Sequence, residues 1–470
     1  MEHERTYVCI DLKSFYASVE CIARGFDPMA TKLVVADPTR SEMTICLAVS
    51  PAMKAAGVRN RCRLHEIPAG MEFITAKPRM RKYMEVSADI YATYLRYVSP
   101  DDIHPYSIDE CFIDATPYLE LYGLTAREFA DTLRGAVLAE TGIPATAGVG
   151  PNLFLAKVAL DITAKHAADG IGELTEHTFR EQIWPHRPIT DIWNIGPGIA
   201  RRLAKYRVFD LRGVTEMDPD VLYGEFGVNA EYLIDHAWGV EPCTIAEIKA
   251  YEPESSSLMN GQILPRGYSF DDTLMVMREM VDDAVLDLVG KRLVTDHISL
   301  HVSYGRDDAA EAEVPSGTPA SEAAAQEAAG EPDGTAAGST GGGEEFFDGG
   351  HGVRRIGGAR PHGGGGRKLP ERTNSFAKLY GYLEALFRET VDPARTMRKI
   401  SIGFGNLVDE DLATVDLFTD VAAAEREHRR QEAVLAVKEK FGKNALIKGT
   451  SLRERALGRE RNEMVGGHHG

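Results

Sequence analysis

The chain has 470 residues, 43% of them hydrophobic, and a formal charge of −18. A chain of this length can bury several cores, so we expect a multidomain protein. No apolar run approaches the roughly 18 residues of a membrane span, which predicts a cytoplasmic protein without membrane contacts. The six cysteines have neither C-x-x-C nor Cys/His ligand spacing, so we expect reduced core thiols and no zinc.

Negative charge is concentrated in one segment. Residues 306–350 hold eleven acidic side chains and one basic side chain, and they are rich in Gly, Ala and Pro. Such a composition buries little apolar surface, so we predict a disordered acidic and Gly-rich insertion over about residues 306–368. The rest of the chain is only mildly acidic, which permits a local basic groove without demonstrating one.

In chain order, the N-terminal part alternates strands and helices. Residues 6–11 form a short apolar strand that ends at Asp11, and Phe15, Val19 and Ile22 then recur at helical spacing. The order is similar to βαββαβ, which packs helices on one face of a mainly antiparallel sheet. The other predicted elements are strands over 32–37, 44–49 and 145–150, a hairpin over 106–116, and helices over 80–97 (with Met84, Ala88, Tyr91 and Leu95 on one face), 125–140 and from 152.

The C-terminal part has the pattern of a second α+β domain. A helix over 272–288 and a strand over 298–304 precede the insertion, and a helix over 376–390 and a strand within 394–407 follow it. The insertion therefore decorates a hairpin of one small domain. Residues 421–441 have an Ala-rich helical pattern, and the basic end of the chain indicates no more than a nucleic-acid or partner contact.

The strongest chemical signal is the segment YSIDECFIDAT at residues 106–116. Ser107 and Glu110 fit the S-x-x-E capping box of a helix start. The β-prone continuation and Pro117 favour instead a tight hairpin, in which Asp109 and Glu110 begin the second strand. Adjacent carboxylates at a partly desolvated sheet end repel each other unless a cation binds them, and a hard, oxygen-preferring metal meets that requirement.

Asp11 ends the first strand in the same manner. Taken alone, it would be an ordinary N-cap of the helix that follows. If neighbouring strands bring it beside Asp109 and Glu110, three carboxylates can hold two Mg²⁺ ions, the arrangement used for in-line phosphoryl displacement. We therefore predict that these three acids form a catalytic, metal-binding set.

Four motifs occur in a fixed order: IDLKSFYASVE at residues 10–20, YSIDECFID at 106–114, AGVGPNLFLAK at 147–157 and WNIGPG at 193–198. Together they resemble the Y-family of translesion DNA polymerases, of the bacterial UmuC/DinB kind, over residues 6–406 without the insertion. The resemblance implies a multidomain α+β right hand. Its parts would be a βαββαβ-like palm (1–16 and 79–178), small fingers (17–78), a helix-hairpin-helix thumb (179–250), an α+β little finger (251–406) and a C-terminal tail (407–470).

The resemblance also implies roles for residues near the strand ends. Tyr16 stands at the place of the steric gate, an aromatic residue whose face blocks a ribose 2′-OH, and Phe15 lies beside it. Helix core is the alternative for both rings. The metal ligands would be Asp11, Asp109 and Glu110, assisted by the carbonyl group of Leu12.

Two lysines would contact the triphosphate of the nucleotide. The segment AVSPAMKAAGV has Pro51 and Lys54 where many family members have Tyr-x-x-Arg, and lysine is a point charge rather than a bidentate fork. Lys165 resembles the second triphosphate lysine of the family, although its spacing from Lys157 is one residue longer than the family pattern. A solvated lysine at a helix end is the alternative.

Two further segments imply contacts with DNA and with protein. In WNIGPG and the helix after it, glycines would let backbone N–H groups approach a DNA phosphate, and a Gly-Pro turn between helices is the alternative. Within TVDLF, Leu417 and Phe418 resemble the anchors of a peptide that binds the bacterial sliding clamp, and a hydrophobic tail is the alternative. The DNA-binding residues would be Gly196, Gly198, Arg201 and Arg202.

The resemblance thus implies a monomeric, template-directed DNA polymerase of the error-prone translesion type. It would add dNTPs to a primer 3′-OH opposite damaged template in DNA repair and the SOS response, with primer-template DNA as its partner and two Mg²⁺ ions as cofactors. One alternative is a catalytically silent DNA-binding relative, although all three acids are present. The other is a nucleotide cyclase, which shares the palm chemistry but needs neither the hairpin glycines nor a clamp peptide.

Overall fold

A computed structural model describes residues 5–37, 43–253, 256–305, 362–413, 420–465 and 468–469. These residues form two compact units, the first reaching Tyr251 and including residues 468–469, and the second running from Glu252 to residue 465. The mixture of helices and sheets confirms the α+β class. Leu417 and Phe418 lie outside the described residues. Within the described ranges, no helix has the length and apolar character that crossing a membrane requires.

A five-stranded sheet is the centre of the first unit. Its strands are β1 (Tyr7–Leu12), β5 (Ile103–Pro105), β6 (Glu110–Asp114), β7 (Ala145–Gly150) and β8 (Ile171–Glu173). Their order is β5-β6-β1-β7-β8. Neighbours pair antiparallel except β7 and β8, which are parallel. The central strand β1 therefore has a hydrogen-bonded partner on each side.

Both faces of this sheet are covered, whereas the sequence predicted helices on one face only. On one face, Tyr7 and Cys9 pack with Leu153 of the helix after β7. On the other face, Val8 and Ile10 are also buried. A strand buried on both faces has a continuous apolar run rather than an alternating pattern. The flanking helices are α3 (Met80–Tyr94), α4 (Thr116–Tyr122), α5 (Ala126–Thr141) and α6 (Leu153–Val158).

Glycines in β7 let α6 lie directly on the sheet. A Cβ atom at Gly148 would lie 2.1 Å from the carbonyl oxygen of Ala156, and one at Gly150 would lie 2.5 Å from the Ala156 nitrogen. No larger residue fits at either position without moving backbone. The AGVG segment therefore fixes the position of the helix that carries Lys157.

A small three-stranded sheet follows β1 and its helix α1 (Phe15–Ile22) in the chain. Strand β2 (Leu33–Val35) pairs antiparallel with β3 (Ala48–Val49) and parallel with β4 (Ile74–Ala76). Helix α2 (Pro51–Ala55) begins with Ser50 as its N-cap and Pro51 at its first position. All six cysteines are free, and five of them are buried.

The remainder of the first unit is helical. A π-helical turn over Ala159–Thr163 continues α6 and leads into α7 (Ala164–His166). The later helices share a core that includes Phe154, Phe179 and Leu203. They are α8 (Glu176–Gln182), α9 (Pro197–Ala204), α10 (Leu211–Thr215), α11 (Pro219–Phe226) and α12 (Ala230–Trp238). Helix α13 (Ile245–Ala250) packs instead against the five-stranded sheet, where Ile245 shares a core with Tyr7 and Cys9.

The second unit is a four-stranded antiparallel sheet with helices. Its long strands are β9 (Leu258–Tyr268), β10 (Leu293–Tyr304), β11 (His362–Thr373) and β12 (Met397–Gly405), in the order β11-β10-β12-β9, and β13 (Val408–Asp409) pairs with β10. Its helices are α14 (Phe270–Gly290), α15 (Phe376–Thr390), α16 (Val421–Phe441) and α17 (Gly458–Asn462). Two-residue strands end the chain, β14 (Met464–Val465) and β15 (His468–His469). The predicted helices at 376–390 and 421–441 are confirmed.

One predicted boundary and one predicted helix face are wrong. Residues 362–368 were predicted as part of the disordered insertion, but they form the first half of β11, in which Gly363 to Gly366 pair with β10. In α3 the predicted face is rotated: Met84 is 52% exposed, whereas Tyr83 and Ile90 are buried. The glycine run carries no apolar periodicity to reveal a strand, and the buried tyrosine of α3 is selected by a polar partner described below.

Candidate active site

The structure brings the three predicted acids together at the end of the central sheet. In the register of β1 and β6, Asp11 lies directly opposite Glu110. The backbone N–H of Leu12 donates to the carbonyl oxygen of Asp109 at 2.9 Å, so Asp109 follows on at the same edge. Opposite residues of an antiparallel pair point to the same face of the sheet. The prediction that distant acids converge is therefore confirmed for their backbone positions.

The turn before β6 has hairpin geometry rather than helical geometry. The N–H groups of Tyr106 and Ser107 both donate to the carbonyl oxygen of Glu110, at 2.9 and 3.0 Å. The hydroxyl of Ser107 donates to Oδ1 of Asp109 at 2.7 Å. The capping-box alternative is therefore wrong. Asp11 is not a helix cap either, because the N-cap of α1 is Ser14.

Burial raises the pKa of two of the acids, Asp11 and Glu110. Burial, followed by the charges of Asp109 and Glu110, raises the pKa of Asp11 to about 8. Burial also raises the pKa of Glu110, while the Lys157 ammonium group opposes that shift. A buried carboxylate with like-charged neighbours is destabilised unless a cation compensates it.

Lys157 provides part of that compensation, and the sequence analysis did not include it among the site residues. Its side chain is 7% exposed, forms an ion pair with Glu110 and contacts Oδ1 of Asp161 at 3.1 Å. Burial lowers the pKa of Lys157, but Glu110 and the neighbouring acids outweigh it and the net shift is upward. The signal was present in the sequence, since Lys157 ends the AGVGPNLFLAK motif.

The carboxylate oxygens of Asp11, Asp109 and Glu110 are ligands that a hard divalent cation prefers, but their side chains are not oriented around one common point. Among the described residues, no three Asp, Glu, His or Cys side chains are placed to hold one metal ion together. Asp109 is turned to Ser107, and Glu110 is engaged by Lys157 and by the thiol of Cys9, which donates at 3.4 Å. Carboxylates that lie close together at one sheet edge, one of them with a strongly raised pKa, fit Mg²⁺ after side-chain rotation.

The two aromatic residues after Asp11 have different environments. The Phe15 ring is 2% exposed, so its side chain is core, contrary to the predicted nucleotide contact. Tyr16 is partly exposed, and burial together with the charge of Asp109 raises its pKa. Tyr16 is thus the ring beside the acidic cluster.

A buried polar network supports the Tyr16 ring. Tyr16 stacks on Tyr83 with ring centroids 4.6 Å apart. The Tyr83 hydroxyl donates to Glu20 at 2.8 Å, and Arg79 binds the same carboxylate with two hydrogen bonds of 2.9 Å. The Glu20 side chain is fully buried. This network was not predicted, because nothing in the sequence relates Glu20 to the helix that carries Tyr83.

The two predicted phosphate lysines lie within electrostatic range of each other, and Lys54 also lies within range of Asp11 and Asp109. Partial burial lowers the pKa of the Lys54 ammonium group. The negative charges of Asp11 and Asp109 oppose this shift, and the positive charge of Lys165 adds to it. Lys54 as a whole residue is exposed. The π-helical turn between Lys157 and Lys165 holds one residue more per turn than an α-helix would. It therefore accommodates the extra residue in the spacing of these two lysines.

Of the residues predicted to bind DNA, the two glycines lie at the start of α9 and the two arginines lie in its last turn. Gly196 is the N-cap of α9, and a Cβ atom at Gly196 or Gly198 would meet nothing within 4 Å. Arg201 is exposed. Arg202 instead donates to the carbonyl oxygen of Glu225 at 3.0 Å, and its guanidinium lies 4.3 Å from the Phe226 ring centroid. The two glycines are thus open to an external ligand, whereas Arg202 is already engaged.

Known proteins are similar to this chain in sequence and in fold. The family model described as the impB/mucB/samB family matches residues 10–161, which contain the three acids. DNA polymerase IV 2 of Bacillus subtilis (strain 168) is 28% identical over 479 residues, covering 100% of both chains. The chain belongs to the Y-family of translesion DNA polymerases. The family prediction from the four motifs is therefore confirmed.

Other similarities agree with this membership. DNA polymerase IV 2 of Halalkalibacterium halodurans is 26% identical over 468 residues, covering 99% of this chain and 100% of that relative. A Y-family polymerase chimera of Dbh and Dpo4 has a TM-score of 0.59 at 19% identity and covers 86% of this chain and 99% of its own. At 19% identity this structural similarity supports the fold alone, which is the multidomain right hand.

Proposed function

We propose that Asp11, Asp109 and Glu110 are the catalytic, metal-binding residues of a template-directed translesion DNA polymerase that uses two Mg²⁺ ions. The observation that carries this proposal is the strand register, which sets Asp11 opposite Glu110 with Asp109 alongside. The carbonyl group of Leu12, next to Asp11, completes the proposed ligand set. When bound, the ions would neutralise negative charge at the primer 3′-oxygen and on the triphosphate.

Lys157 prepares the acids for this task. Its buried ammonium group forms an ion pair with Glu110 and holds that carboxylate in the ionised form that a metal ligand needs. Asp161, at 3.1 Å, keeps the lysine charged and in place. We assign Lys157 as a positioning residue, which acts through Glu110 rather than on the substrate.

Tyr16 selects the sugar of the incoming nucleotide. Its ring lies beside Asp109 and is backed by Tyr83, so it cannot retreat into the core. A ribose 2′-OH directed at a ring that is fixed from behind clashes with it, whereas a deoxyribose does not. Tyr83 and the buried Glu20 hold the ring in place.

Lys54 and Lys165 bind the triphosphate. Two ammonium groups within electrostatic range of each other repel, and a polyanion between them removes that repulsion. Pro51 starts the helix that carries Lys54 and offers no side-chain donor. Binding of the triphosphate therefore relies on the point charges of the two ammonium groups rather than on the two parallel hydrogen bonds of an arginine guanidinium.

Primer-template DNA is the proposed macromolecular substrate. The open N-terminus of α9 at Gly196 and Gly198 suits a phosphate of the DNA backbone, with the exposed Arg201 nearby. Such contacts carry no sequence information, as a polymerase that copies any template requires. Arg202 contributes to this surface by fixing α11 rather than by binding phosphate itself.

The remaining assignments concern the cellular setting. We propose that the polymerase acts as a cytoplasmic monomer in DNA repair and the SOS response, and that Leu417 and Phe418 anchor it to the sliding clamp. A catalytically silent DNA-binding relative would not need three partly buried acids at one sheet edge, which are costly to keep. A polymerase needs all three.

The experiment that tests the proposed function is primer extension on four templates that differ in one template base. Each template should direct incorporation of its complementary dNTP, and an unprimed dNTP mixture should give no cyclic product. Incorporation that ignores the template base, or cyclic nucleotide formed without DNA, would contradict the proposal.

A further inference from the structure

A cavity of about 400 Å³ lies in the second unit, and none of the residues assigned above lines it. It is enclosed by α14, α16, the start of α15 and the C-terminal segment that includes α17. Small-molecule sites have volumes of about 300 to 1,000 Å³, so this one is large enough for a small ligand. We name it the C-terminal cavity.

The walls of the C-terminal cavity are held by acids of α14. Asp283 accepts from Arg461 at 2.5 and 3.2 Å and lies 3.5 Å from Lys438, and Asp282 forms an ion pair with Lys448. These contacts explain why the C-terminal segment is basic. They also leave Asp282 and Asp283 neutralised, so neither acid repels an incoming anion strongly.

Three of the residues that line the cavity each have a buried polar atom without a hydrogen-bond partner among the described residues. These atoms are Oε1 of Glu279, Nε2 of Gln431 and Nη1 of Arg461. Glu279 is 5% exposed and Gln431 is 7% exposed. The other oxygen of Glu279 accepts from the N–H groups of Leu457 and Gly458, both at 2.9 Å, so the side chain cannot rotate to satisfy Oε1 elsewhere. Buried polar atoms without partners are costly, and a ligand that pairs with them recovers that cost.

The charge of the lining determines the sign of the ligand. Five cationic side chains face three acidic ones around the cavity. In the described part of the chain, neither Arg278 nor Arg430 has a carboxylate within salt-bridge distance, and Arg278 lies instead 5.0 Å from the Tyr380 ring centroid. The ligand should therefore be an anion that accepts from Gln431 and Arg461 and also donates to Glu279.

We propose that the C-terminal cavity binds a nucleoside monophosphate, either as a free nucleotide or as the 5′-phosphorylated end of a DNA strand. The phosphate supplies negative charge and acceptors for the arginines and Gln431. The amino and hydroxyl groups of the nucleoside supply the donor that Glu279 Oε1 requires. Inorganic phosphate carries its charge and its O–H donor on one small group, without the separate amino and hydroxyl donors of a nucleoside, and a nucleoside offers those donors without charge.

Calorimetric titration of the full chain in EDTA tests the proposal, with deoxyadenosine monophosphate as the probe. It should bind more tightly than inorganic phosphate or deoxyadenosine. Gln431→Leu and Arg430→Gln should each weaken binding by about tenfold, the usual effect of losing one hydrogen bond to a charged group. The matched control is Arg429→Gln, the neighbouring position on α16, whose arginine lies 3.6 Å from Glu425 and does not line the cavity; it should leave binding unchanged.

A second titration distinguishes the two sources of the phosphate. A 5′-phosphorylated oligonucleotide that binds more tightly than its 5′-hydroxyl form, with the difference lost in Gln431→Leu, identifies a DNA end. No difference between the two oligonucleotides, together with binding of the free nucleotide, identifies the free nucleotide. The proposal would be overturned if, at about 1 mM probe, the protein neither bound the free nucleotide nor preferred the 5′-phosphorylated oligonucleotide. It would also be overturned if Gln431→Leu and Arg430→Gln both bound the nucleotide as tightly as the wild type.

Discussion

Replacement of Asp11 by Asn should stabilise the first unit at alkaline pH while removing polymerase activity. Burial and two neighbouring carboxylates raise the pKa of Asp11 from 3.8 to about 8. Between these values the native state keeps a proton that the unfolded state has released. The free energy of unfolding therefore falls as the pH rises through this window.

The size of the effect follows from the shift. One pKa unit corresponds to about 1.4 kcal/mol, so a shift of about four units costs on the order of 5 kcal/mol at pH 8. A typical domain has a free energy of unfolding of about 5 to 15 kcal/mol, and the cost is a large part of it. Asn has no charge to desolvate, so the free energy of unfolding of Asp11→Asn should fall less between pH 5 and pH 8 than that of the wild type, in which the Asp11 shift adds to the shift of Glu110.

Tryptophan fluorescence during urea unfolding isolates the relevant unit. The chain has three tryptophans, and all of them, Trp184, Trp193 and Trp238, lie in the first unit. The folded and unfolded pKa values of Asp11 set a window of about pH 4 to 8. Measurements in EDTA at about pH 5, 6, 7 and 8 therefore give, for each protein, the change in the free energy of unfolding with pH. Glu120→Gln, at an exposed position of α4, is the matched carboxylate-to-amide control.

Mg²⁺ provides a second reading of the same effect. At pH 8 it should stabilise the wild type by offsetting the buried charge, and it should stabilise Asp11→Asn much less, because ligand binding shifts unfolding only where the native site exists. Equal pH slopes in the wild type and Asp11→Asn would refute the reasoning that Asp11 is a buried, strained acid. Equal stabilisation by Mg²⁺ would refute its role as a ligand.

Three further predictions concern the substrate contacts. Tyr16→Ala should lower discrimination against ribonucleotides by about tenfold or more in competing single-nucleotide incorporations, and unchanged sugar selectivity would remove the gate assignment. Lys54→Ala and Lys165→Ala should each raise the KM for dNTP by about tenfold with a smaller change in kcat. A KM within about twofold of the wild-type value is less than the loss of one charge-assisted contact, and it would contradict the triphosphate role. Replacing Leu417 and Phe418 together by Ala should abolish stimulation by the sliding clamp without changing clamp-free extension, and stimulation that persists would place the clamp contact elsewhere.

The sequence was informative where chemistry and local pattern coincide. The hairpin at residues 106–116 was predictable because β-prone residues and a proline argue against the capping-box reading, and the structure has that hairpin. The convergence of Asp11 with Asp109 and Glu110 was predictable because all three sit at strand ends of one sheet. Both inferences need only the geometry of neighbouring strands.

Long-range polar packing was not predictable. Glu20 and Tyr83 are 63 positions apart, and their hydrogen bond decides which face of α3 is buried. Hydrophobic periodicity chose Met84 instead, because a tyrosine and a methionine count alike in such a pattern. Lys157 was missed although it ends the AGVGPNLFLAK motif, because its burial against Glu110 depends on how closely α6 approaches β7.

The C-terminal half illustrates a different limit. The glycine run of β11 has no side chains that alternate between faces, so composition indicated disorder where backbone pairing forms a strand. The basic end of the chain indicated no more than a nucleic-acid or partner contact, whereas two of its arginines, Arg455 and Arg461, pair with acids of α14. Net charge along a segment does not reveal which of its charges are neutralised within the fold.

Single-turnover incorporation of one dNTP into a primer-template, compared for the wild type and Asp109→Ala at equal DNA occupancy, tests the central claim most directly. The account predicts that Asp109→Ala binds the primer-template as tightly as the wild type and incorporates nothing detectable. Incorporation by Asp109→Ala at a rate near that of the wild type would contradict it.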